Sequence, residues 1–347
     1  MKKLLKMLII CAIISIIMPV VTMRAEAADS AYIVMDSNSG RVFYEENARE
    51  KKPIASLTKI ATCITAIENS SLDDKVCIKK EWTNIEGSSV YLQESEELTM
   101  EELLYALMLR SGNDAATAIC GHVCDGGNDF VSLMNDTAKR LGLNDTHFEN
   151  PHGLDSPDHY SSASDLALLC SYSMANETFA KIVSTKKIRI GSGESLRVLI
   201  NKNKLLSRYE FAEGIKTGYT KKSGRCLASA ANKDGFRLVC VVLNLGSTYE
   251  TTEMLFDKVY SQYKNRVLHS KDEPVAYYEK DGRTIPCSLG KDAVYPLSDE
   301  EMKYISSTTE ITYKGGFPVK SGTEMGIIKF YLKNQLLFEQ KIYSILG

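Results

Sequence analysis

Residues 53–59, Pro53-Ile54-Ala55-Ser56-Leu57-Thr58-Lys59, open a predicted helix and contain a Ser-x-x-Lys motif. The spacing of three residues places Ser56 and Lys59 on one face of that helix. A serine hydroxyl needs a proton acceptor before it can attack a carbonyl, so this pair is a candidate nucleophile and base. The helix itself is indicated by apolar residues at spacings of three or four, namely Leu57, Ile60, Ala61, Ile64 and Ile67.

Two further short motifs follow in a definite order, Ser111-Gly112-Asn113 and then Lys216-Thr217-Gly218. The first falls in the break between two predicted helices, and the second lies on a predicted strand. Ser-x-x-Lys also occurs at residues 184–187 and 261–264, so a single match has little meaning. Those two matches have no such partners in order. The interpretation therefore rests on the set of three motifs.

The elements around these motifs predict an α+β domain in which helices flank an antiparallel sheet. Residues 31–36 and 41–45 predict a hairpin, because the intervening residues 37–40 include Asn and Gly, which permit a positive φ. We expect this hairpin to pair with the late strands in one sheet. Helices are predicted at 57–67, 99–109, 114–123, 129–141, 164–174 and 249–263, and strands at 214–220, 226–231 and 236–245.

The sequence changes character near Val267, after which strand and turn patterns replace the helical periodicity. The last of these patterns predicts a hairpin of residues 325–332 and 335–344. We therefore predict a catalytic domain at 28–265 and a small all-β domain at 266–347. The chain stops directly after the last predicted strand, so the sequence shows no C-terminal amphipathic anchor, although membrane association stays open.

The first 27 residues have the pattern of a secretory signal peptide. Lys2, Lys3 and Lys6 precede an apolar run at residues 7–21, and Ala25-Glu26-Ala27 fits a cleavage site. The apolar run is short for a helix that spans a bilayer, and an uncleaved anchor is the alternative. We expect cleavage near Ala27 and a protein that works on the cell-wall side of the membrane.

Composition excludes several classes of protein. The chain is 44% hydrophobic and 25% charged with a net charge of −2, which argues against disorder and against nucleic-acid binding. Eight of the nine cysteines follow the predicted signal peptide, and an exported protein can form disulfides. Their positions within apolar patterns favour core packing. Cys120 and Cys124, with His122 between them, lack a second pair at zinc spacing, so we predict no metal and no cofactor.

The chain resembles the serine D-alanyl-D-alanine carboxypeptidases among the low-molecular-mass penicillin-binding proteins. The resemblance extends beyond the three motifs to residues 53–59, 150–155, 159–167, 203–206 and 214–220. It implies a β-lactamase/transpeptidase-like catalytic domain followed by a β-rich second domain. It also implies an exported enzyme that removes the terminal D-Ala from peptidoglycan stem peptides ending in D-Ala-D-Ala. β-Lactam antibiotics are the expected covalent inhibitors.

The resemblance also assigns catalytic roles. Ser56 attacks the carbonyl of the penultimate D-Ala, Lys59 takes its proton, and Ser111 relays a proton toward the leaving amine. Lys59 has to be neutral for this, and burial beside a second cation, Lys216, lowers the pKa of a lysine. By analogy with the family, the backbone N–H groups of Ser56 and Tyr219 form the oxyanion hole. The predicted substrate-binding residues are Asn113, His152, Lys216, Thr217, Gly218 and Tyr219, with a structural hydrogen-bonding role as the alternative for His152.

The sequence departs from the family pattern at two places. Tyr219 stands where many members carry His, and no Arg occurs between Arg237 and Arg266, where many members have an Arg that helps to bind the terminal carboxylate. The missing Arg favours an alternative, a catalytically weak protein that binds peptidoglycan or β-lactams. A β-lactamase on the same fold is less favoured, because class A enzymes carry Ser-Asp-Asn where this chain has Ser-Gly-Asn at residues 111–113.

Overall fold

The computed structural model describes residues 29–124 and 127–345. The predicted signal peptide and its cleavage site lie outside the described residues. The chain divides into two compact units, one ending at Asp257 and the other beginning at Lys258. Within the described part, none of the helices is both long and apolar enough to cross a membrane.

The first unit mixes short helices with strands. Its strands are β1 (Ala31–Asp36), β2 (Val42–Glu46), β3 (Lys75–Cys77), β4 (Glu97–Thr99), β5 (Lys187–Ile190), β6 (Arg197–Ile200), β7 (Ala212–Thr220), β8 (Gly224–Lys233) and β9 (Phe236–Leu243). Its helices are α1 (Lys59–Asn69), α2 (Met100–Arg110), α3 (Asn113–Val123), α4 (Gly127–Arg140), α5 (Ala163–Met174), α6 (Glu177–Ser184) and α7 (Leu205–Arg208), and α8 (Thr248–Gln262) contains the division between the units. A 3₁₀ turn, Ala55–Thr58, leads directly into α1.

A five-stranded antiparallel sheet organises this unit, with the strand order β2-β1-β9-β8-β7. The N-terminal hairpin joins the late strands through β1 and β9, where Ala31 pairs with Leu243 and Asp36 with Leu238. This pairing confirms the sheet that the sequence predicts. β7 carries the Lys-Thr-Gly motif and lies at one edge, so its outward backbone N–H and C=O groups can meet an extended peptide.

Helix α1 lies inside the core, since residues 59–66 are all buried. A helix buried on every side is normally apolar, yet this one carries Lys59, Thr62 and Thr65. Buried polar side chains need hydrogen-bond partners to offset the loss of water. Thr62 Oγ1 finds one by donating to the carbonyl of Pro151 at 2.6 Å. The partners of Lys59 belong to the site described below.

Helices α2 and α3 frame the Ser-Gly-Asn motif. A capping box is present at the start of α2, where Glu102 N–H donates to Thr99 Oγ1 at 3.2 Å and Thr99 N–H donates to Glu102 Oε2 at 2.8 Å. At the other end, Ser111 has a left-handed φ of 65°, and α3 begins at Asn113. The motif therefore occupies the break between two helices, as predicted.

Several elements differ from the sequence-based prediction. The patterns do not predict the two-stranded sheets β3-β4 and β5-β6, because strands of three or four residues are too short to show alternation. β8 begins at Gly224, before its predicted start at Cys226, so Arg225 lies on the strand. The turn before it is tightened by reciprocal hydrogen bonds between Thr220 and Ser223, of 2.9 and 3.0 Å.

The second unit is built from strands, which confirms the predicted all-β domain. They are β10 (Lys264–His269), β11 (Ala276–Lys280), β12 (Arg283–Leu289), β13 (Ala293–Leu297), β14 (Ile305–Ile311), β15 (Glu324–Leu332) and β16 (Gln335–Ser344). One sheet has the order β11-β12-β16-β15-β14, and β10 pairs with β13. The predicted terminal hairpin is β15–β16, in which Leu332 pairs with Gln335. Cys287, Met325, Phe330 and Ile342 contribute to its core.

No disulfide joins the cysteines of the described residues. Burial raises the pKa of the Cys120 and Cys240 thiols to about 12, so both behave as small apolar side chains. Core packing thus accounts for Cys120, while Cys124 is half-buried. In the part of the chain that the structure describes, no group of three His, Cys, Asp or Glu side chains is placed to hold a metal ion.

Candidate active site

A cleft of about 290 Å³ in the first unit brings together residues that are far apart in the sequence. Four of the predicted site residues line it directly. Three others, Lys59, Ser111 and Lys216, are buried side chains. The lining consists of Ser56, Gly87, Ser88, Asn113, His152, Gly153, Leu154, Tyr219 and Thr220.

Lys59 is the central side chain of the site, and its residue is fully buried. Its Nζ lies 3.3 Å from Ser56 Oγ, as expected for two residues on one helical face. It lies 2.7 Å from Asn113 Oδ1 and 2.5 Å from the carbonyl oxygen of His152. The first and second motifs therefore meet at a single nitrogen atom.

Asn113 and Asp114 hold in place the loop that contributes Gly87 and Ser88 to the cleft. Asn113 Nδ2 donates to the carbonyl of Glu86 at 2.5 Å, and its backbone N–H donates to the carbonyl of Ser88 at 2.6 Å. The next residue, Asp114, is fully buried and accepts hydrogen bonds from Ser89 Oγ, Val90 N–H and Leu92 N–H, at 2.6 to 3.1 Å. One helix start thus anchors the whole loop that carries Gly87 and Ser88.

Ser111 contributes a hydroxyl group to the same region. The residue is 4% exposed, and its Oγ has no hydrogen-bond partner among the described residues. A buried hydroxyl without a partner is uncommon. The left-handed backbone of Ser111 caps the C-terminus of α2.

The third motif lies against the turn that carries the nucleophile. A Cβ atom on Gly218 would stand 3.1 Å from the carbonyl oxygen of Ile54 and 3.3 Å from Ser56 N. At this glycine the strand therefore approaches the turn of Ser56 closely. Lys216 Nζ is buried and donates to the carbonyl of Thr217 at 3.0 Å. Tyr219, in contrast, is 65% exposed.

A loop at residues 150–154 closes the remaining side. Asn150 Oδ1 accepts from Gly153 N–H at 2.7 Å, and Asn150 Nδ2 donates to the carbonyl of Leu154 at 3.0 Å. His152 Nδ1 accepts from Leu154 N–H at 3.2 Å. His152 therefore contributes a structural hydrogen bond and, through its carbonyl, a contact to Lys59. The His152 carbonyl thus helps to position Lys59 Nζ, and its ring helps to position the backbone of Leu154.

The electrostatics of the site are set by buried lysines. Burial and the charges of Lys216 and Lys202 hold the pKa of Lys59 well below its usual range. Burial and Lys202 lower the pKa of Lys216 to about 7. Burial, with Lys59 nearby, also lowers the pKa of His152 to about 4, so this ring is neutral at neutral pH. Repulsion from Lys216 thus adds to the burial of Lys59, and both favour the neutral amine.

Comparison with known proteins agrees with this geometry. A family model described as D-alanyl-D-alanine carboxypeptidase matches residues 19–247. The chain belongs to that family. A second model, described as the C-terminal domain of penicillin-binding protein 5, matches residues 263–345. The family, the α+β fold and the enzyme class of a serine-type carboxypeptidase are thereby confirmed.

Individual relatives of this carboxypeptidase cover most of its length. D-alanyl-D-alanine carboxypeptidase DacF of Bacillus subtilis (strain 168) is 30% identical over 332 residues, or 92% of this chain and 85% of the relative. The crystal structure of D-alanyl-D-alanine carboxypeptidase from Mycobacterium tuberculosis H37Rv is 31% identical, with a TM-score of 0.64 over 67% of this chain and 90% of that one. Penicillin-binding protein 5 from Haemophilus influenzae shares the fold, with 23% identity and a TM-score of 0.77 over 91% of this chain and 96% of that one.

Three charged residues that contact or adjoin residues of the cleft lining are missed by the sequence motifs. Lys202 donates from Nζ to Ser88 Oγ at 3.2 Å, at the rim of the cleft. Asp114 fixes the loop of Ser88, as described above. Arg225 pairs with Tyr219 across β7 and β8, and it is exposed. A correct register for the β7–β8 hairpin would have found Arg225, whereas the contact between Lys202 and Ser88 spans 114 residues and has no local signal.

The glycine at 153 offers a direct test of how tightly the cleft is packed. Gly153 has a φ of 85°, and a Cβ atom there would lie 2.0 Å from the backbone oxygen of Ala55. Gly142 has a similar φ of 71° with no atom within 4 Å of the same position, so it is a matched control. We expect Gly142→Ala to cost about 1 kcal/mol, the penalty of the left-handed conformation. Gly153→Ala should cost at least about 2 kcal/mol more, because the backbone has to move.

Urea unfolding of both variants measures this difference, and labelling with a fluorescent penicillin reports the site. Gly153→Ala should also lose labelling, while Gly142→Ala should retain it. Equal stability and equal labelling of the two variants would show that the cleft is not packed as described.

Proposed function

We propose that this carboxypeptidase removes the terminal D-Ala of peptidoglycan stem peptides through an acyl-enzyme on Ser56. The position of Lys59 Nζ carries the proposal. Of the three groups around this atom, Asn113 Oδ1 and the His152 carbonyl can only accept hydrogen bonds. A neutral amine has two N–H bonds and one lone pair, so it donates to both and directs its lone pair to Ser56 Oγ. Lys59 is therefore arranged as a general base.

The steps follow from these positions. Ser56 Oγ forms a bond to the carbonyl carbon of the penultimate D-Ala while Lys59 takes its proton. The C–N bond to the terminal D-Ala then breaks, and the nitrogen receives a proton through Ser111, whose hydroxyl has no other partner among the described residues. Water afterwards attacks the ester, which releases the shortened peptide and restores the proton to Ser56.

In this proposal two backbone N–H groups stabilise the negative oxygen that forms in each step. Ser56 lies in the first turn of a helical segment, so its N–H lacks an intrahelical acceptor. On β8, the carbonyl of Arg225 accepts from Leu245 N–H at 3.1 Å and thus faces away from β7. Its antiparallel partner Tyr219 then belongs to a non-hydrogen-bonded pair, and the Tyr219 N–H points out from the sheet edge. These donors support the predicted oxyanion hole.

The terminal carboxylate of the substrate needs cations, and Lys216 with Thr217 supplies the first contact. We propose Arg225 as the second cation, in place of the Arg that many family members carry elsewhere. Its side chain shares a face with that of the cleft-lining Tyr219, and its Nη1 reaches the carbonyl of Gly246 at 3.4 Å. No carboxylate among the described residues forms an ion pair with it. The guanidinium can therefore bind a carboxylate in the fork geometry that Arg favours.

Export and β-lactam sensitivity complete the proposed function. The predicted signal peptide brings the enzyme to peptidoglycan, on the outer side of the membrane. A β-lactam presents a strained amide in the shape of D-Ala-D-Ala, so it should acylate Ser56. The resulting ester on Ser56 should hydrolyse slowly. Ser-Gly-Asn at residues 111–113, where class A β-lactamases carry Ser-Asp-Asn, favours a carboxypeptidase over a β-lactamase.

Replacement of the nucleophile tests this function most simply. Wild-type protein should release D-Ala from diacetyl-Lys-D-Ala-D-Ala and react with a fluorescent penicillin, and Ser56→Ala should do neither. Labelling without D-Ala release in the wild type would support the catalytically weak binding protein instead. D-Ala release that persists in Ser56→Ala would rule out the acyl-enzyme on Ser56.

The charge of Lys202 should tune the pH dependence of acylation. Because Lys202 lowers the pKa of both Lys59 and Lys216, Lys202→Gln should raise both pKa values. Lys59 then becomes neutral only at higher pH, so the acid limb of the rate profile moves to higher pH, with a severalfold lower rate on that limb. Lys202→Arg retains the charge and serves as the control. Identical profiles for wild type, Lys202→Gln and Lys202→Arg would contradict the assigned electrostatics.

The proposed role of Arg225 predicts an effect on substrate affinity. Arg225→Gln should raise KM for diacetyl-Lys-D-Ala-D-Ala about tenfold, with a smaller change in kcat, because a charge-assisted contact to the carboxylate is lost. Lys222→Gln removes an exposed positive charge from the same hairpin and is the matched control. Steady-state kinetics of both variants decide the matter. If Arg225→Gln and Lys222→Gln have the same KM, Arg225 does not bind the substrate carboxylate.

A further inference from the structure

A chain of hydrogen bonds connects His159 to the peptide bond that precedes the nucleophile. His159 is 6% exposed, and its Nε2 lies 2.7 Å from Thr58 Oγ1. Thr58 is fully buried, and its hydroxyl donates to the carbonyl oxygen of Ala55 at 2.8 Å. The mechanism above uses neither side chain, although Thr58 lies between Ser56 and Lys59 and directly precedes Lys59.

The direction of each hydrogen bond in this chain is fixed. The backbone N–H of Glu149 donates to His159 Nδ1 at 3.0 Å, so Nδ1 carries no proton. In the neutral ring the proton then belongs to Nε2, which donates to Thr58 Oγ1. Thr58 uses its own proton to bind Ala55 O. Edge-to-face packing of Phe148 against the His159 ring, with centroids 5.8 Å apart, holds the imidazole in this orientation.

The acceptor at the end of the chain is an unusual residue. Ala55 has a φ of 47°, in the left-handed region that residues with a Cβ rarely occupy. Its carbonyl oxygen is enclosed on another side by Gly153, where an added Cβ would stand 2.0 Å away. Such a conformation persists only when surrounding contacts impose it, and it is often found at functional sites.

Because Ala55 C=O and Ser56 N–H belong to one planar peptide group, the contacts to the carbonyl also affect the active site. A trans peptide group is planar, with its C=O and N–H pointing in opposite directions. Contacts that fix the direction of Ala55 C=O therefore fix the direction of Ser56 N–H. This N–H is one of the two proposed oxyanion donors, and its value depends on its orientation before the reaction begins.

We propose that His159 is a positioning residue which, through Thr58, holds the Ala55–Ser56 peptide so that Ser56 N–H points into the cleft. The proposal rests on the acyl-enzyme function of Ser56 proposed above. It assigns His159 no direct contact with substrate. It also separates two functions of the ring, a contact to Thr58 through Nε2 and a contact to the Glu149 backbone through Nδ1.

Two substitutions of His159 distinguish these functions. A glutamine amide can place its nitrogen near the position of Nε2, so His159→Gln keeps a donor for Thr58. An asparagine amide is shorter and reaches only the position of Nδ1, so His159→Asn keeps the contact to Glu149 and loses the contact to Thr58. Thr58→Val removes the hydroxyl at nearly constant shape, and Thr58→Ser restores it.

The readouts are kcat and KM for D-Ala release, the affinity for a peptide boronic acid, and the thermal midpoint. A boronic acid forms a tetrahedral adduct with a serine oxygen, and one of its own oxygens takes the place of the oxyanion. We expect His159→Asn and Thr58→Val to lose about tenfold to a hundredfold in kcat and in boronate affinity, with KM changed less than about threefold. His159→Gln and Thr58→Ser should recover most of both.

The outcomes separate this proposal from the proposed function. Retention of kcat and boronate affinity by His159→Asn and Thr58→Val would overturn the positioning role, as would losses of equal size in the Gln and Asn variants. If Thr58→Val does not fold, the two His159 variants still decide. Wild-type protein without D-Ala release, or activity that survives Ser56→Ala, would instead show that the function proposed for Ser56 is wrong.

Discussion

The burial of Lys59 is the constraint on which the rest of this structure depends. An ammonium group removed from water is strongly disfavoured unless it is paired, and no carboxylate of the described residues forms an ion pair with Lys59. The alternative is a neutral amine, which burial and two nearby lysines favour. Once neutral, this nitrogen has one lone pair, and the carbonyl oxygens of Asn113 and His152 leave that lone pair to Ser56.

Other parts of the fold serve to keep these few atoms in place. Asp114 fixes the loop on one side of the cleft, and Asn150 fixes the loop on the other. Gly153 lets a loop approach the turn of Ser56 more closely than a side chain would permit, and Gly218 lets an edge strand pack tightly against the same turn. Such packing favours groups that are oriented before substrate arrives, and electrostatic stabilisation of a transition state is most effective in a site of that kind.

Much of this arrangement follows from the sequence, because it depends on local signals. The capping box at Thr99, the helix break at Ser111 and the hairpin at residues 333–334 are each encoded within a few residues. The three motifs and their order identify the candidate nucleophile and base. The strand pairing of β1 with β9 is also predictable, since both are strongly apolar.

What the sequence does not reveal depends on tertiary contacts. His159 meets Thr58 across 101 residues, and Lys202 meets Ser88 across 114. Neither contact follows from periodicity or from a motif. The position of Arg225 opposite Tyr219 depends on the register of the β7–β8 hairpin. The sequence does not fix the length of the turn between these strands, so the register does not follow from it. The lowered pKa of Lys59 is also a property of the folded interior, and only the family resemblance, which implies Lys216 beside it, anticipates the shift from the sequence.

The most direct test of this account is a titration of Lys59 itself. In protein labelled with ¹³C at lysine Cε, the chemical shift of each lysine follows its protonation, and Lys59→Gln identifies the signal that belongs to Lys59. The account predicts that Lys59 loses its proton at a lower pH than exposed lysines, whose pKa is about 10.4. Titration of Lys59 together with the exposed lysines would show that it is charged at neutral pH, and its role as the base that activates Ser56 would be contradicted.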